Sequence, residues 1–267
     1  MRLKEKVAVI TGAGSGMGRC MAELFVREGA KVVCADRSGR QDEVAEWLGA
    51  DAAIAVQCDV GIGADVQRMI TTAEERFGRL DILCNNAGFG GRMMPLHEQT
   101  EENFEIVHAA NLRGVFLGMK YGIISMLKTG GGAIVNTASA AAVVGWKHHA
   151  IYSGAKAGVL QMTKSAALDY AEQGIRINAV LPGNTWTGLV PASQGNAAPP
   201  PGTRALPGVP MNRWGLPQEI AAAALFLASD DASFTTGAAL PVDGGYTIGF
   251  SGMAAETSDA PEFPPPF

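Results

Sequence analysis

Thr11-Gly12-Ala13-Gly14-Ser15-Gly16-Met17-Gly18 decides the reading of this chain. A short β-branched run, Val7–Thr11 (VAVIT), leads into it, and helical periodicity follows over Gly18–Glu28. Position 17 is Met, so the stretch is not a strict G-x-G-x-x-G; its form is TGxxxGxG, built on Gly12, Gly16 and Gly18. The physical requirement is the same: a tight turn, a backbone that comes close to a pyrophosphate, and a helix N-terminus offering N–H groups and a positive dipole end. A glycine turn alone is weak evidence. Its position between a strand and a helix makes it a dinucleotide site.

The same alternation continues outward from this turn. Lys31–Ala35 is a second strand, followed by a helix candidate at Asp42–Leu48. Ala53–Cys58 is a third strand, with a helix over Asp65–Phe77, and Leu80–Cys84 is a fourth. A long helical stretch covers about Glu101–Leu127 before a fifth strand at Ala133–Thr137. Helix Tyr152–Glu172, strand Ile175–Leu181, helix Pro217–Ala228 and a seventh strand at Ala239–Val242 complete the pattern. Near-continuous apolar strands alternating with helices imply an α/β fold with a parallel sheet covered on both faces. Right-handed crossovers make it a doubly wound Rossmann sheet of about seven strands. No linker divides it, so one dinucleotide-binding domain over 1–250 is expected. Two segments break the pattern: a Pro/Gly/Ala-rich loop, 188–212, and a tail, 251–267, ending in PEFPPPF.

Composition narrows the function classes. The chain of 267 residues is 47% hydrophobic and 18% charged, with a formal net charge of −5, which supplies no basic field for nucleic acid or anionic lipid. No signal-peptide pattern precedes Val7, and no apolar run reaches the ~18–20 residues that span a bilayer. A soluble cytoplasmic protein is expected. Cys20, Cys34, Cys58 and Cys84 are widely spaced and read as small apolar filler. His148 and His149 are adjacent and so diverge on a helix; no metal-ligand set is expected.

Asp36 ends the second strand, 18 residues after Gly18. A carboxylate there accepts hydrogen bonds from adenosine ribose hydroxyls and repels a 2′-phosphate, which favours NAD over NADP. Arg37 is the counter-signal, because a guanidinium can hold that phosphate. Asp59-Val60 and Asn85-Asn86-Ala87-Gly88 end the third and fourth strands at the rim where adenine and ribose would lie. For Asn85, tying the sheet edge together is an equally good reading. Ser139 follows the fifth strand, and thirteen residues later stands Tyr152-Ser153-Gly154-Ala155-Lys156. Tyr and Lys at i, i+4 share a helix face. At ~4 Å and an effective dielectric of ~20, an ammonium favours phenolate by about 4 kcal/mol, or about three pKa units at most. That would bring a phenol toward neutral pH, where a general acid/base works. On its own, Tyr-x-x-x-Lys is a short pattern that an ordinary surface helix also yields.

Over about residues 4–250 the sequence resembles the classical short-chain dehydrogenase/reductase (SDR) family. The resemblance rests on TGAGSGMG at 11–18, Asp59-Val60, NNAG at 85–88, Asn111 within NLRGVF, Ser139, YSGAK at 152–156, Pro182-Gly183 with Thr187, and VDGG at 242–245. It implies a catalytic tetrad. Tyr152 would exchange a proton with the substrate oxygen and Ser139 would orient that oxygen. Lys156 would bind the nicotinamide ribose and lower the Tyr152 pKa, while Asn111 would hold a relay water. Thr185 and Thr187 would contact the nicotinamide end above the Pro182-Gly183 turn, and the protein would be a homotetramer. The substrate wall is expected from 89–94, 140–146, His149 and loop 186–212, which are apolar and suit a hydrophobic or ring-shaped alcohol or ketone. A 3-oxoacyl-carrier-protein reductase and a non-catalytic NAD-binding sensor or scaffold are the alternatives; Asp36 and the net charge speak against the first, the complete tetrad against the second. The tail 261–267 is expected to dock on a neighbouring subunit or cover a pocket.

Overall fold

In the computed structural model, the described residues are 1–188, 198–200, 203 and 207–249. The tail docking expected for 261–267, and most of loop 186–212, lie outside them.

Seven parallel strands form one sheet: β1 (Val7–Thr11), β2 (Lys31–Asp36), β3 (Ala53–Gln57), β4 (Ile82–Asn85), β5 (Gly132–Thr137), β6 (Ile175–Pro182) and β7 (Ala239–Val242). Their spatial order is β3-β2-β1-β4-β5-β6-β7. The register places Ile10 beside Cys34 on one flank and beside Cys84 on the other. Every residue of β1 is buried, because successive side chains enter different cores. Val7 and Val9 join one core with Val66 and Met69 of α3 (Gly63–Phe77), Val115 and Met119 of α5 (Gly114–Thr129), and Val159 of α6 (Ala150–Tyr170). Ala8 and Ile10 join the other with Met21 and Phe25 of α1 (Gly16–Arg27), Val44 of α2 (Arg40–Leu48), and Ile220 and Leu225 of α7 (Pro217–Ala228). Double coverage is the physical reason that the strand runs read as apolar without alternation. Burial pushes the Cys34, Cys58 and Cys84 thiols up to about 12, so they pack as inert apolar side chains.

The strand order reverses between β1 and β4, which opens a crevice at the carboxyl ends of the strands. One element departs from the sequence reading. The helix expected over 101–127 divides into α4 (Glu101–His108), a π-helical turn at Ala109–Arg113, and α5. Asn111 sits in that turn, and its Nδ2 donates to the Val107 carbonyl at 2.9 Å and to the Phe89 carbonyl at 2.8 Å. The second bond reaches a loop beyond β4 and draws the helix toward the crevice. Among the described residues, no helix is long and apolar enough to cross a membrane, and no His/Cys/Asp/Glu cluster has the makings of a metal site.

Candidate active site

Two cavities open along the crevice. The first, about 650 Å³, is lined by Gly12, Ser15, Gly16, Met17, Asp36, Arg37, Asp59, Val60, Asn86, Ala87, Gly88 and Thr187, together with Ala110 of the π-helical turn. Gly12 adopts φ +70° in the tight turn. At Gly18 a Cβ would stand 2.1 Å from the Gly12 carbonyl oxygen, so only glycine lets α1 start this close to the turn. Gly18 packs against Gly12 and Asn86 behind the cavity wall. Ser15 at the N-cap of α1 makes no side-chain capping bond. The helix start therefore keeps its anion-attracting end toward the cleft.

Asp36 braces the glycine turn as well as facing the cleft. Its Oδ2 accepts from the Gly14 N–H at 3.0 Å and its Oδ1 from the Ser38 N–H at 2.8 Å. Each oxygen keeps acceptor capacity for a ribose hydroxyl. The Arg37 guanidinium lies 5.5 Å from the Phe89 ring centroid, across the cleft. Asp59 closes a local turn, its Oδ1 accepting from the Gly61 N–H at 2.9 Å. Asn86 is more structural than expected. Its Nδ2 donates to the Thr11 carbonyl at 3.0 Å, and its N–H donates to the Thr11 hydroxyl, tying β4 to β1. Asn85 bonds Asn136 at 2.8 Å, as the sheet-edge reading has it.

The second cavity, about 920 Å³, contains Asn111, Ser139, Tyr152, Lys156, Pro182, Gly183, Thr185 and Thr187 in its wall. It shares Met17, Asn86, Gly88, Phe89, Thr187 and Gly188 with the first, so the two are continuous. Gly183 lies against Asp243, where a Cβ would approach to 2.7 Å, and Thr185 Oγ1 donates to the Gly183 carbonyl at 3.2 Å.

The polar centre is compact. Ser139 Oγ accepts from the Ala141 N–H at 3.1 Å, and its hydroxyl lies close enough to Tyr152 to favour the phenolate. Burial pushes the Tyr152 phenol up from its ordinary value, and Ser139 pulls it part of the way back. Lys156 is 3% exposed. Its Nζ donates to the Thr137 carbonyl at 2.7 Å and stands 5.8 Å from the Tyr152 ring centroid. Burial lowers its pKa to about 8. The direct electrostatic depression of Tyr152 by Lys156, expected from the i, i+4 spacing, is not the controlling influence here. The ammonium is turned to the end of β5, and desolvation of the phenol dominates. Asn111 Oδ1 is buried with no partner. A Cβ on Gly88 would stand 2.4 Å from that oxygen and 3.4 Å from Lys156 Nζ, so both atoms face the space that this glycine leaves open. A buried carbonyl oxygen in that position accepts a hydrogen bond from a water or ligand group.

The remaining wall is apolar and aromatic: Phe89, Met93, Trp146, His149, Pro207, Trp214 and Tyr246. Of the 140–146 segment expected here only Trp146 lines the cavity, because Ala140 and Ala141 are buried in the core. Trp186 also turns inward, 4% exposed, and packs edge-on against Trp214 at 5.2 Å. Trp214 and Tyr246 were missed in the sequence. Tyr246 directly follows VDGG, and that adjacency to a motif at a strand end is the signal that could have found it.

A family model described as enoyl-(acyl carrier protein) reductase matches residues 12–247. Levodione reductase of Leifsonia aquatica is 37% identical over 258 residues, 93% of this chain and 97% of its own. A crystal structure of levodione reductase superposes with a TM-score of 0.85 over 93% of this chain and all of that one, at 37% identity. Cis-4-hydroxycyclohexanecarboxylate dehydrogenase of Sinomonas cyclohexanicum is 43% identical over 247 residues, 91% of this chain and 97% of its own. The crystal structure of 3-ketoacyl-(acyl-carrier-protein) reductase from Brucella melitensis complexed with NADH gives a TM-score of 0.84 at 37% identity, covering 92% of this chain and 100% of that one. With the nucleotide-binding fold and the polar centre in place, these matches establish that the chain belongs to the short-chain dehydrogenase/reductase family of oxidoreductases.

Proposed function

We propose that the protein interconverts a secondary alcohol and its ketone with NAD(H), acting on a hydrophobic or ring-shaped substrate. The observation that carries this reading is the convergence of Tyr152, Ser139, Lys156 and Asn111 on an apolar cavity that runs into the glycine-turn cleft. The cleft fits a dinucleotide, with Asp36 at the adenosine end and Lys156 and Thr187 at the other. Asp36 supports NAD, and the NADH-bound neighbour agrees. When bound, the nicotinamide supplies the hydride acceptor or donor.

Tyr152 exchanges the proton on the substrate oxygen. Ser139, whose Oγ already accepts from Ala141, keeps its own hydrogen to donate to that oxygen or to Tyr152. Lys156 would hold a cationic N–H toward the nicotinamide ribose, and Asn111 Oδ1 would anchor a water linking Lys156 to solvent. The apolar wall excludes bulk water, which strengthens each of these interactions. The cyclohexane ring in one relative's name supports a ring-shaped substrate. The exposed Phe104, Phe116, Ile124 and Leu127 on α4 and α5 suit packing against other copies, in keeping with a homotetramer.

The family-model description and one solved neighbour favour a carrier-protein reductase as the second reading. The net charge of −5 weakens it, since an acidic carrier needs a basic docking surface. An absorbance assay at the reduced-nicotinamide band separates the two. Cyclic secondary alcohols with NAD should turn over faster than a 3-oxoacyl thioester with NADPH; the reverse order overturns the proposal.

A further inference from the structure

We infer that His149 is a specificity-determining residue that accepts a hydrogen bond from a second hydroxyl on the substrate, so that the preferred substrate is a ring carrying two hydroxyls, or a hydroxyl and a ketone. This rests on the alcohol/ketone reading above. His149 lines the larger cavity three residues before Tyr152. Its Nδ1 lies 2.8 Å from the Lys147 carbonyl oxygen. A carbonyl oxygen only accepts, so Nδ1 carries the hydrogen, and in that tautomer Nε2 is the acceptor.

The ring is held on two sides. It meets Trp146 edge-on at 5.6 Å and an 89° interplanar angle, and Tyr152 at 6.3 Å and 70°. The backbone behind it is held as well. His148 adopts φ +66°, a left-handed conformation that a non-glycine residue keeps only where its surroundings impose it. The Met94 N–H donates to the His148 carbonyl at 3.2 Å, joining this corner to the 89–94 loop on the same cavity. Strain and cross-bracing thus fix an imidazole next to the polar centre, with one nitrogen committed and the other free to accept.

The chemistry of the wall selects the ligand. Lys156 is the one charged side chain among the described residues of the lining, and it is bonded to Thr137. Apart from Lys156, no described side chain there would balance a substrate carboxylate or sulfonate. A neutral hydroxyl donor matches the Nε2 acceptor without any such balance, while a substrate lacking it leaves that nitrogen unsatisfied beside apolar groups.

The test measures kcat and KM with NAD for cyclohexanol and for the cis and trans isomers of cyclohexane-1,2-, 1,3- and 1,4-diol. Wild type, His149→Phe and His149→Gln are compared. At least one diol should exceed cyclohexanol in kcat/KM by about tenfold, the effect of one hydrogen bond. That ratio should collapse toward unity in His149→Phe, mainly through KM, and return in part in His149→Gln, whose amide carbonyl reaches the Nε2 position. Cyclohexanol turnover without any preference for a diol overturns the inference and leaves the alcohol/ketone reading standing. Retention of the preference in His149→Phe, or an equal loss of kcat on every substrate, also overturns it. Absence of turnover with any alcohol takes both readings down.

Discussion

At Tyr152 two opposing influences act on one hydroxyl: burial raises its pKa, and the Ser139 hydroxyl lowers it. Alcohol oxidation needs Tyr152 as a proton acceptor, so the rate should rise with pH as the phenol ionises. Ser139→Ala removes the lowering influence. Its kcat/KM for oxidation should fall by at least ~100-fold at pH 7, with the rising limb displaced to higher pH; pH–rate profiles of the two proteins check this. Lys156 titrates in the opposite sense. Burial disfavours its ammonium and takes it from 10.5 to about 8, a penalty of about 3 kcal/mol on the folded apo protein below that pH. Between about 8 and 10.5 the unfolded chain binds the proton that the folded one has shed, so stability rises with pH across that window. Lys156→Met removes the penalty but also the bond to Thr137, worth about 1 kcal/mol. The variant should therefore be more stable than wild type by about 2 kcal/mol at pH 7 and slightly less stable at pH 10.5, where only the lost bond counts, as denaturant melts at the two pH values would report. The spacing of Tyr152 and Lys156 was legible as one helix face. The direction of the Lys156 ammonium was not, because its partner is a backbone carbonyl at the end of β5, which no side-chain pattern encodes.

Among the elements, the strands were the most legible and the π-helical turn the least. A strand buried on both faces writes its burial into every residue, as Val7–Thr11 does. Boundaries slipped where the ladder continues beyond the strand: the Cys58 N–H still bonds the Asp36 carbonyl at 2.8 Å, although β3 ends at Gln57. The turn at Ala109–Arg113 leaves the apolar periodicity of 101–127 undisturbed. It coincides with a side-chain bond from Asn111 to Phe89, 22 residues away, which helical periodicity does not register. Wide turns of this kind recur at functional sites. Asn111→Leu removes the donors to Phe89 and Val107 and the unpartnered Oδ1 together. We expect kcat to fall by ~10-fold or more with the cofactor Kd changed by less than about threefold. An unchanged kcat, measured beside calorimetric cofactor binding, would refute the assignment of Asn111 to the proton path.

For the whole molecule, the doubly wound parallel sheet with ligand-facing turns at the strands' carboxyl ends followed from the alternation of strands and helices, whereas the spatial order of the strands, the assembly and the far wall of the cavity did not. Phe116, Ile124 and Leu127 each leave close to half of their surface exposed on α5. Such residues read as core in a periodicity argument, since the pattern does not say whether the cover is the same chain or another copy. If α5 packs against a partner, Phe116→Glu combined with Leu127→Glu should reduce the sedimenting mass. An unchanged mass at every concentration would exclude that face. Trp214 reaches the cavity from a segment far in sequence from Tyr152 with no motif beside it, so only the fold reveals it. The account as a whole turns on a preformed cofactor cleft joined to a proton-exchanging tyrosine. Its most direct test is one preparation each of wild type and Tyr152→Phe, with NAD binding measured by calorimetry and cyclohexanol oxidation by the reduced-nicotinamide absorbance. The account predicts NAD binding within about threefold in both proteins, with turnover in wild type reduced by ~1,000-fold or more in the variant. Turnover that survives the loss of the Tyr152 hydroxyl would contradict it.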